Sequence, residues 1–449
     1  MERVKLMNSI QSLLLLLTLT FFSCSKDDDD TTGGGGSTNT TAFPAGAVHN
    51  LESETDLDVL LNEIGDDQIV LLGEASHGTS DFYTWRAAIS RRLIKEKGFT
   101  LIAVEGDWTD AYPLNSYIRG NSSAATAEEA LQAFDRWPTW MWANEEIADL
   151  AEWLRAYNTG KTAQEQVGFY GLDVYGIWES LEEVNRYLQE TDPEAAQTAQ
   201  EVLNCFAPYN QSEDAYIGAT LSSSETCADE LERLLQEMQA KVAAGSTANE
   251  EAFNAMQNVL VAVNAERYYR ASAVSYSQSW NIRDEHMMET INRLLEQHGP
   301  DAKIIVWEHN THVGDARATT MASEGTVNVG QLVREQHGED EAYIVGFGTY
   351  SGTVIASQRW GAAAQVMNVP EAQPNSWEGI LHREFSSDKI ILMKVLRQEQ
   401  KFMQRIGHRA IGVTYNPSSE SGNYVPSVLP ERYDAFLYID QTQALHPLQ

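Results

Sequence analysis

The sequence predicts an α/β fold: a central, mostly parallel sheet flanked by helices, with a large helical insertion. Three observations carry this expectation. Four short apolar runs end in polar or ionisable residues, helical periodicity alternates with those runs, and a long helical region separates the third run from the fourth. Residues 68–72 run into Gly73-Glu74-Ala75-Ser76-His77-Gly78, 100–104 into Glu105-Gly106-Asp107, 167–172 into Asp173, and 303–307 into Glu308-His309-Asn310-Thr311-His312. Strands buried on both faces read as continuous apolar runs, and an open parallel sheet gathers its site at the carboxyl ends of its strands. Histidines and carboxylates are therefore expected to meet at one edge of one sheet.

Residues 1–23 read as a targeting segment. Arg3 and Lys5 precede an apolar stretch over 10–22, which is short for a membrane-spanning helix and is followed at once by Cys24. Phe21-Phe22-Ser23-Cys24 resembles a lipoprotein cleavage box, so Cys24 is the expected lipidation site; an ordinary cleaved signal peptide is the alternative. Residues 24–42, with Asp27 to Asp30 and Gly33 to Gly36, read as an acidic, flexible tether. The expected location is outside the cell, lipid-anchored to the bacterial outer membrane or cell surface.

The domain proper is expected over 43–449. Residues 53–64 carry capping chemistry and apolar residues at helical spacing. Residues 79–97 repeat the pattern at Phe82, Trp85, Ala88, Ile89 and Leu93 before Gly98 as a C-cap, and 145–157 form a third amphipathic helix. The insert is expected over about 176–297, with helices at 178–188, 193–203, 227–242 and 249–297. Strands at 343–347, 353–356, 390–393, 409–414 and 435–439 are expected to complete the same sheet. Cys205 and Cys227 bracket a Ser/Asn/Tyr/Gly-rich stretch inside the insert. In an exported protein they are expected to bridge, constraining the unfolded chain by roughly 3 kcal/mol, with two buried thiols as the alternative.

Composition narrows the function. With 65 acidic against 31 basic residues and a net charge of −34, the surface repels nucleic acid and anionic membrane, leaving a lipid anchor as the only expected membrane contact. A small-molecule substrate is the expected partner. No Gly-x-Ser-x-Gly elbow, Walker A loop, dinucleotide fingerprint or EF-hand loop is present.

The chemistry rests on the strand ends. At a three-residue offset Glu74 can orient His77 and stabilise its charged form while the imidazole takes a proton from water. Glu105 ends an otherwise apolar strand; Asp173 has the same position in a supporting role. His309 and His312, three apart, can share acid and base duties or ligate a metal, although their spacing is not that of the metalloprotease helix. Arg86, on the helix after the first motif, and Arg283 are candidate donors to a developing oxyanion. The loop 136–142 holds Trp137, Trp140 and Trp142, and either lines an apolar cleft or packs into the core.

These motifs, in order, resemble the erythromycin esterase family: residues 71–78, Val104-Glu105-Gly106-Asp107-Trp108, Leu114-Asn115-Ser116-Tyr117-Ile118-Arg119-Gly120, Asn281-Ile282-Arg283-Asp284 and His309-Asn310-Thr311-His312-Val313-Gly314-Asp315. The resemblance runs from about residue 50 to the end. It implies hydrolysis of an ester, in the best-known members a macrolide lactone, by water activated at a histidine. His77 would then be the base, with Glu74 and Glu105 orienting it or the water and His309 completing the catalytic set. Arg86, Arg283 and His312 would bind substrate or stabilise the tetrahedral oxyanion. Glu308 stands where the family pattern leads one to expect a small residue. No cofactor is expected, with a divalent metal left open. Two rivals stand beside this: a metal-dependent hydrolase ligated by Glu74, His77, Glu105, His309 and His312, and a non-enzymatic surface lipoprotein that holds a ligand with its aromatic loop.

Overall fold

The computed structural model describes residues 42–223, 225–243 and 250–448. The targeting segment, nearly all of the tether and Cys24 lie outside the described residues. The strands are β1 (Val48–Asn50), β2 (Ile69–Leu72), β3 (Leu101–Asp107), β4 (Gly168–Asp173), β5 (Ile304–Trp307), β6 (Ala342–Ala356), β7 (Gln365–Val369), β8 (Lys389–Leu392), β9 (Ile406–Arg409), β10 (Tyr424–Ser427) and β11 (Ala435–Thr442).

The main sheet runs β1-β8-β11-β6-β2-β5-β3-β4, with β7 folded back on β6. From β11 through β4 every pairing is parallel. Antiparallel β8 and β1 close one edge. Side chains alternate across the sheet as a strand requires. Val70, Leu72, Ile305 and Trp307 join one apolar cluster, while Ile69, Leu71, Ile304 and Val306 join another on the opposite face. Helices cover both faces, which is why the strands lack polar alternation.

Local chemistry sets the element boundaries. Ser53 and Asp56 form a capping box before the helix Asp58–Ile64. The helix Ser80–Lys97 ends at Gly98, whose φ of 76° is the left-handed cap that glycine adopts without strain. Between β4 and β5 the described elements are all helical. An apolar cluster confined to residues between Val174 and Tyr269 holds most of them together, and Cys205 and Cys227 are disulfide-bonded. The last helix of this region, Tyr276–His298, instead sends Met287, Met288 and Ile291 into the cluster on the sheet.

Several expectations need correction. The strands at 343–347 and 353–356 are one continuous strand, β6, because the intervening Gly348–Ser351 stretch stays extended against β11. The strand at 409–414 is displaced: β9 ends at Arg409 and pairs only with β10, in a separate hairpin that does not complete the main sheet. The helical run at 249–297 breaks into Glu250–Ser272 and Tyr276–His298. The stretch between the cysteines contains a further helix, Glu213–Ser222.

Candidate active site

Strand order does the assembling. β2, β5, β3 and β4 are consecutive neighbours, so the turns leaving their carboxyl ends converge although they lie up to 235 residues apart in the chain. Glu74 leaves β2 almost fully buried. Its Oε1 lies 2.8 Å from His77 Nδ1, and its Oε2 accepts from Arg86 Nη2 at 2.6 Å. An ionised carboxylate can only accept, so Nδ1 carries the hydrogen and Nε2 of His77 is left to act. The Arg86 guanidinium is clamped between the rings of Tyr83 and Trp307, 4.2 and 4.6 Å from their centroids.

Glu105, at the end of β3, is the hub of the second half. One carboxylate oxygen accepts from Arg283 Nη2 at 2.7 Å, and the other accepts from the backbone N–H of His309 at 2.8 Å. Arg283 also forks onto Asp173 with bonds of 2.8 and 2.6 Å, and its Nη1 donates to His312 Nε2 at 3.0 Å. His312 Nδ1 in turn lies 2.9 Å from Asp284 Oδ1, with the Trp280 ring stacked 4.6 Å away. The imidazoles of His77 and His309 meet at a centroid distance of 4.9 Å. Nε2 of His309 and both carboxyl oxygens of Glu308 are buried without a protein partner.

A cleft of about 140 Å³ opens over this network. His77, Glu105, Asp173 and Arg283 line it, with Asp107 and Arg136 to one side. Arg136 forks onto Asp107 at 2.6 and 2.8 Å, and Arg136 and Arg283 both lie against the Tyr175 ring, at 4.7 and 5.4 Å. Trp137 and Trp360 meet at 4.5 Å and also line the cleft.

The family model for erythromycin esterase matches residues 94–442, a span that includes Glu105, Asp173, Arg283 and both downstream histidines. The chain belongs to the erythromycin esterase family. Among curated proteins it is similar to an erythromycin esterase type II from Escherichia coli, 25% identical over 329 residues, covering 69% of this chain and 75% of that one. A putative hydrolase, YbfO, from Bacillus subtilis (strain 168) is 20% identical over 323 residues, covering 68% and 70%. Several solved structures share the fold. A succinoglycan biosynthesis protein aligns with a TM-score of 0.75 at 20% identity, covering 90% of this chain and 96% of its own. A mutant of the erythromycin esterase EreC in its open conformation aligns at 0.64 and 18%, covering 87% and 94%. The family match and these relatives place the chain among hydrolases.

In this erythromycin esterase family member the two neighbouring imidazoles differ in proton affinity. Burial pulls the His77 pKa down, but Glu105 and the bonded Glu74 outweigh it, and the net shift is upward. Burial and the charge of His77 push His309 well below the ordinary histidine value. Glu105 resists burial because His312, Arg283 and His77 surround it, and it stays ionised far below the carboxylate range. Glu308 is pushed well above that range by burial and by the nearby carboxylates Glu105 and Asp284. A pair of titratable groups driven apart in this way can divide proton acceptance and donation.

The expected site residues thus fall into two sets. His77, Glu105 and Arg283 line the cleft, and His309 abuts His77. Glu74 lies behind His77 as its orienting carboxylate. Arg86 and His312 were expected to touch substrate, but both are buried and absent from the cleft wall. Arg86 holds Glu74, because Tyr83 and Trp307 seal it from solvent, and His312 braces Arg283. Of the aromatic loop, Trp137 and Trp142 line the cleft while Trp140 packs in the core. Among the described residues no three or more His, Cys, Asp or Glu side chains are grouped to hold a metal ion. The oxygens of Glu74 and Glu105 are already engaged by guanidinium, imidazole or amide donors.

Sequence reasoning missed Asp107, Arg136, Tyr175, Asp284 and Trp360. Asp107 and Asp284 stand inside motifs already singled out, and Asp107 shares with Glu105 the polar end of β3. Tyr175 and Trp360 sit in loops with no periodic signal.

Proposed function

We propose that this chain hydrolyses a carboxylic ester or lactone by adding water activated at His77. The observation that carries the proposal is the Arg86–Glu74–His77 chain, which ends in a cleft lined by Arg283. His77 Nε2 takes a proton from water, and the resulting hydroxide forms the new C–O bond at the carbonyl carbon. Glu74 and Glu105 stabilise the imidazolium. Arg283 uses four of its five N–H bonds on Glu105, Asp173 and His312, leaving one on Nη1 for the carbonyl oxygen as it becomes an oxyanion. Collapse of the tetrahedral intermediate breaks the bond to the alkoxy group, which leaves with the proton held on His77. Neutral His309, whose Nδ1 accepts from the Thr311 N–H, keeps a second positive charge away from His77 and carries its own proton on Nε2 as a donor. The test is His77→Ala, expected to lower kcat/KM for ester cleavage by about 10²- to 10⁴-fold with the circular dichroism spectrum unchanged; full activity would end the assignment.

The size of the cleft bears on substrate. Sites for drug-sized ligands enclose roughly 300–1,000 Å³, well above the volume here, which favours a small ester over a macrolide ring. Mass spectrometry of phenyl acetate and erythromycin after incubation with the protein separates the two, and cleavage of erythromycin supports a role in macrolide resistance. The same assays after exhaustive chelation test the metal-dependent alternative, since activity carried by protein groups alone survives. A surface lipoprotein that only binds would turn over neither compound. The export signal and a lipid on Cys24 belong to this proposal as well; labelling with a radioactive fatty acid, lost in Cys24→Ser, tests them.

A further inference from the structure

A further buried histidine–carboxylate pair lies outside the cleft lining and has no part in the steps above. His408, from β9, and Glu378, from the helix Trp377–Glu384, are both fully buried, with His408 Nδ1 2.5 Å from Glu378 Oε1. The other ring nitrogen of His408 lies 3.2 Å from Nδ2 of Asn310. Asn310 directly follows His309, and its amide is held on three sides. Nδ2 also donates to the Phe347 carbonyl at 2.7 Å, Oδ1 accepts from the Phe347 N–H at 3.2 Å, and Gly73 is close enough that a Cβ there would stand 2.1 Å from Oδ1. The backbone of the same residue joins the two halves of the site. Its N–H donates to the carbonyl of Glu74 at 2.9 Å, while its own carbonyl accepts from Arg432 Nη2 at 2.7 Å.

These contacts fix the protons. The two bonds to Phe347 determine which end of the amide is nitrogen, since the flipped amide would set donor against donor and acceptor against acceptor. Both hydrogens of Nδ2 are then committed, one to Phe347 and one to His408. The His408 Nε2 must accept, so its single proton sits on Nδ1, facing Glu378. A proton on both nitrogens would press an N–H against the amide N–H and leave buried donors unpaired.

We propose that His408, held in its neutral Nδ1–H form by Glu378, is a positioning residue that locks Asn310 and thereby ties the Glu74–His77 turn to the His309 loop. The groups facing His408 fit a neutral ring. Glu378 attracts a proton, Arg432 and Arg409 repel one, and Tyr433 and Phe436 enclose the ring at 5.8 and 5.3 Å. Burial and the two guanidiniums prevail, holding the His408 pKa below the ordinary histidine value. The kinetic part of this proposal rests on the hydrolase reading above; the structural part does not.

The test pairs histidine ¹⁵N NMR with kinetics on the whole domain, using phenyl acetate as the probe. In the wild-type protein, Nε2 of His408 is expected to stay unprotonated from about pH 5 to about pH 9. In His408→Leu, which offers no acceptor, kcat is expected to fall about 10- to 100-fold with KM nearly unchanged. The titration midpoint of His77 is expected to move by about half a pH unit or more as Glu74 shifts. His408→Gln, whose carbonyl can accept from Asn310, restores both. If His408→Leu does not fold, Asn310→Asp replaces the donor by an acceptor of the same shape, and should draw a proton onto His408 Nε2 and lower kcat. The proposal is overturned by a protonated Nε2 in the wild-type protein, by wild-type kcat and His77 midpoint in His408→Leu or Asn310→Asp, or by His408→Gln being as impaired as His408→Leu. A wild-type protein that cleaves no ester removes the hydrolytic assignment alone, and the two NMR readouts still decide the positioning.

Discussion

Between Val174 and Tyr269 the helices share an apolar cluster of their own, with a disulfide inside it and their ion pairs largely on the surface. At the carboxyl edge of the sheet the reverse holds: carboxylates, guanidiniums and imidazoles are buried and joined to one another by ion pairs. The difference teaches what each region is for. Apolar burial is non-directional and tolerates substitution of similar volume. A buried charge network is costly to desolvate and stands only with nearly every partner in place, so it fixes geometry where chemistry needs it. Arg283 joins the two regions. It projects from the helix that follows the apolar cluster, and it lies against Tyr175, whose hydroxyl bonds Tyr268 of that cluster's own helix at 3.1 Å.

The sharpest way to break the comparison is Arg283→Ala. It strands Glu105 and Asp173 as buried carboxylates and should cost about 3–5 kcal/mol in urea unfolding, together with most activity. A cost below 1 kcal/mol would show that the network is not strained by losing a partner. Next, the double variant Cys205→Ala/Cys227→Ala should cost about 3 kcal/mol through the unfolded chain while leaving kcat within twofold, because neither cysteine nor any residue between them lines the cleft. A large fall in kcat there would show that the two regions are coupled.

Proton linkage gives a third, smaller effect. The His77 pKa is raised in the folded protein, so kcat/KM should rise with pH through a midpoint above the ordinary histidine value of about 6.5, as the base loses its proton. The stability gained from this raised value is fully present below the unfolded pKa and is lost as pH climbs through the folded one. A midpoint below 6.5 in the pH–rate profile would contradict the arrangement. Smallest of all, Arg233→Ala removes a solvent-exposed pair with Glu201 and should change stability by no more than about 0.5 kcal/mol, with the change vanishing in high salt.

Much of this contrast was legible in the sequence. Unbroken apolar runs announced β2 to β5, and their polar ends announced Glu74, His77, Glu105, Asp173 and His309, because burial stops where the strand stops. The spacing of apolar residues announced the helical region. Other features carried no such signal. β9 and β10 depend on pairing with each other, not on a local pattern, and β7 is a half-exposed edge strand. Nothing in the local sequence says that Arg86 is sealed by Trp307 rather than open to substrate, since that ring arrives from 221 residues further along the chain. Helix Trp108–Ile118 also escaped notice; it carries Pro113 inside it, which usually argues against a helix interior.

The pairing of β2 with β5 spans a separation of about 235 residues. An N-terminal fragment emerging from the ribosome therefore holds His77 without His309, and the imidazole pair waits for the later half of the polypeptide. Closing so long a loop carries an entropic charge that local contacts cannot offset. Assembly of the site therefore requires these two distant strands to find one another.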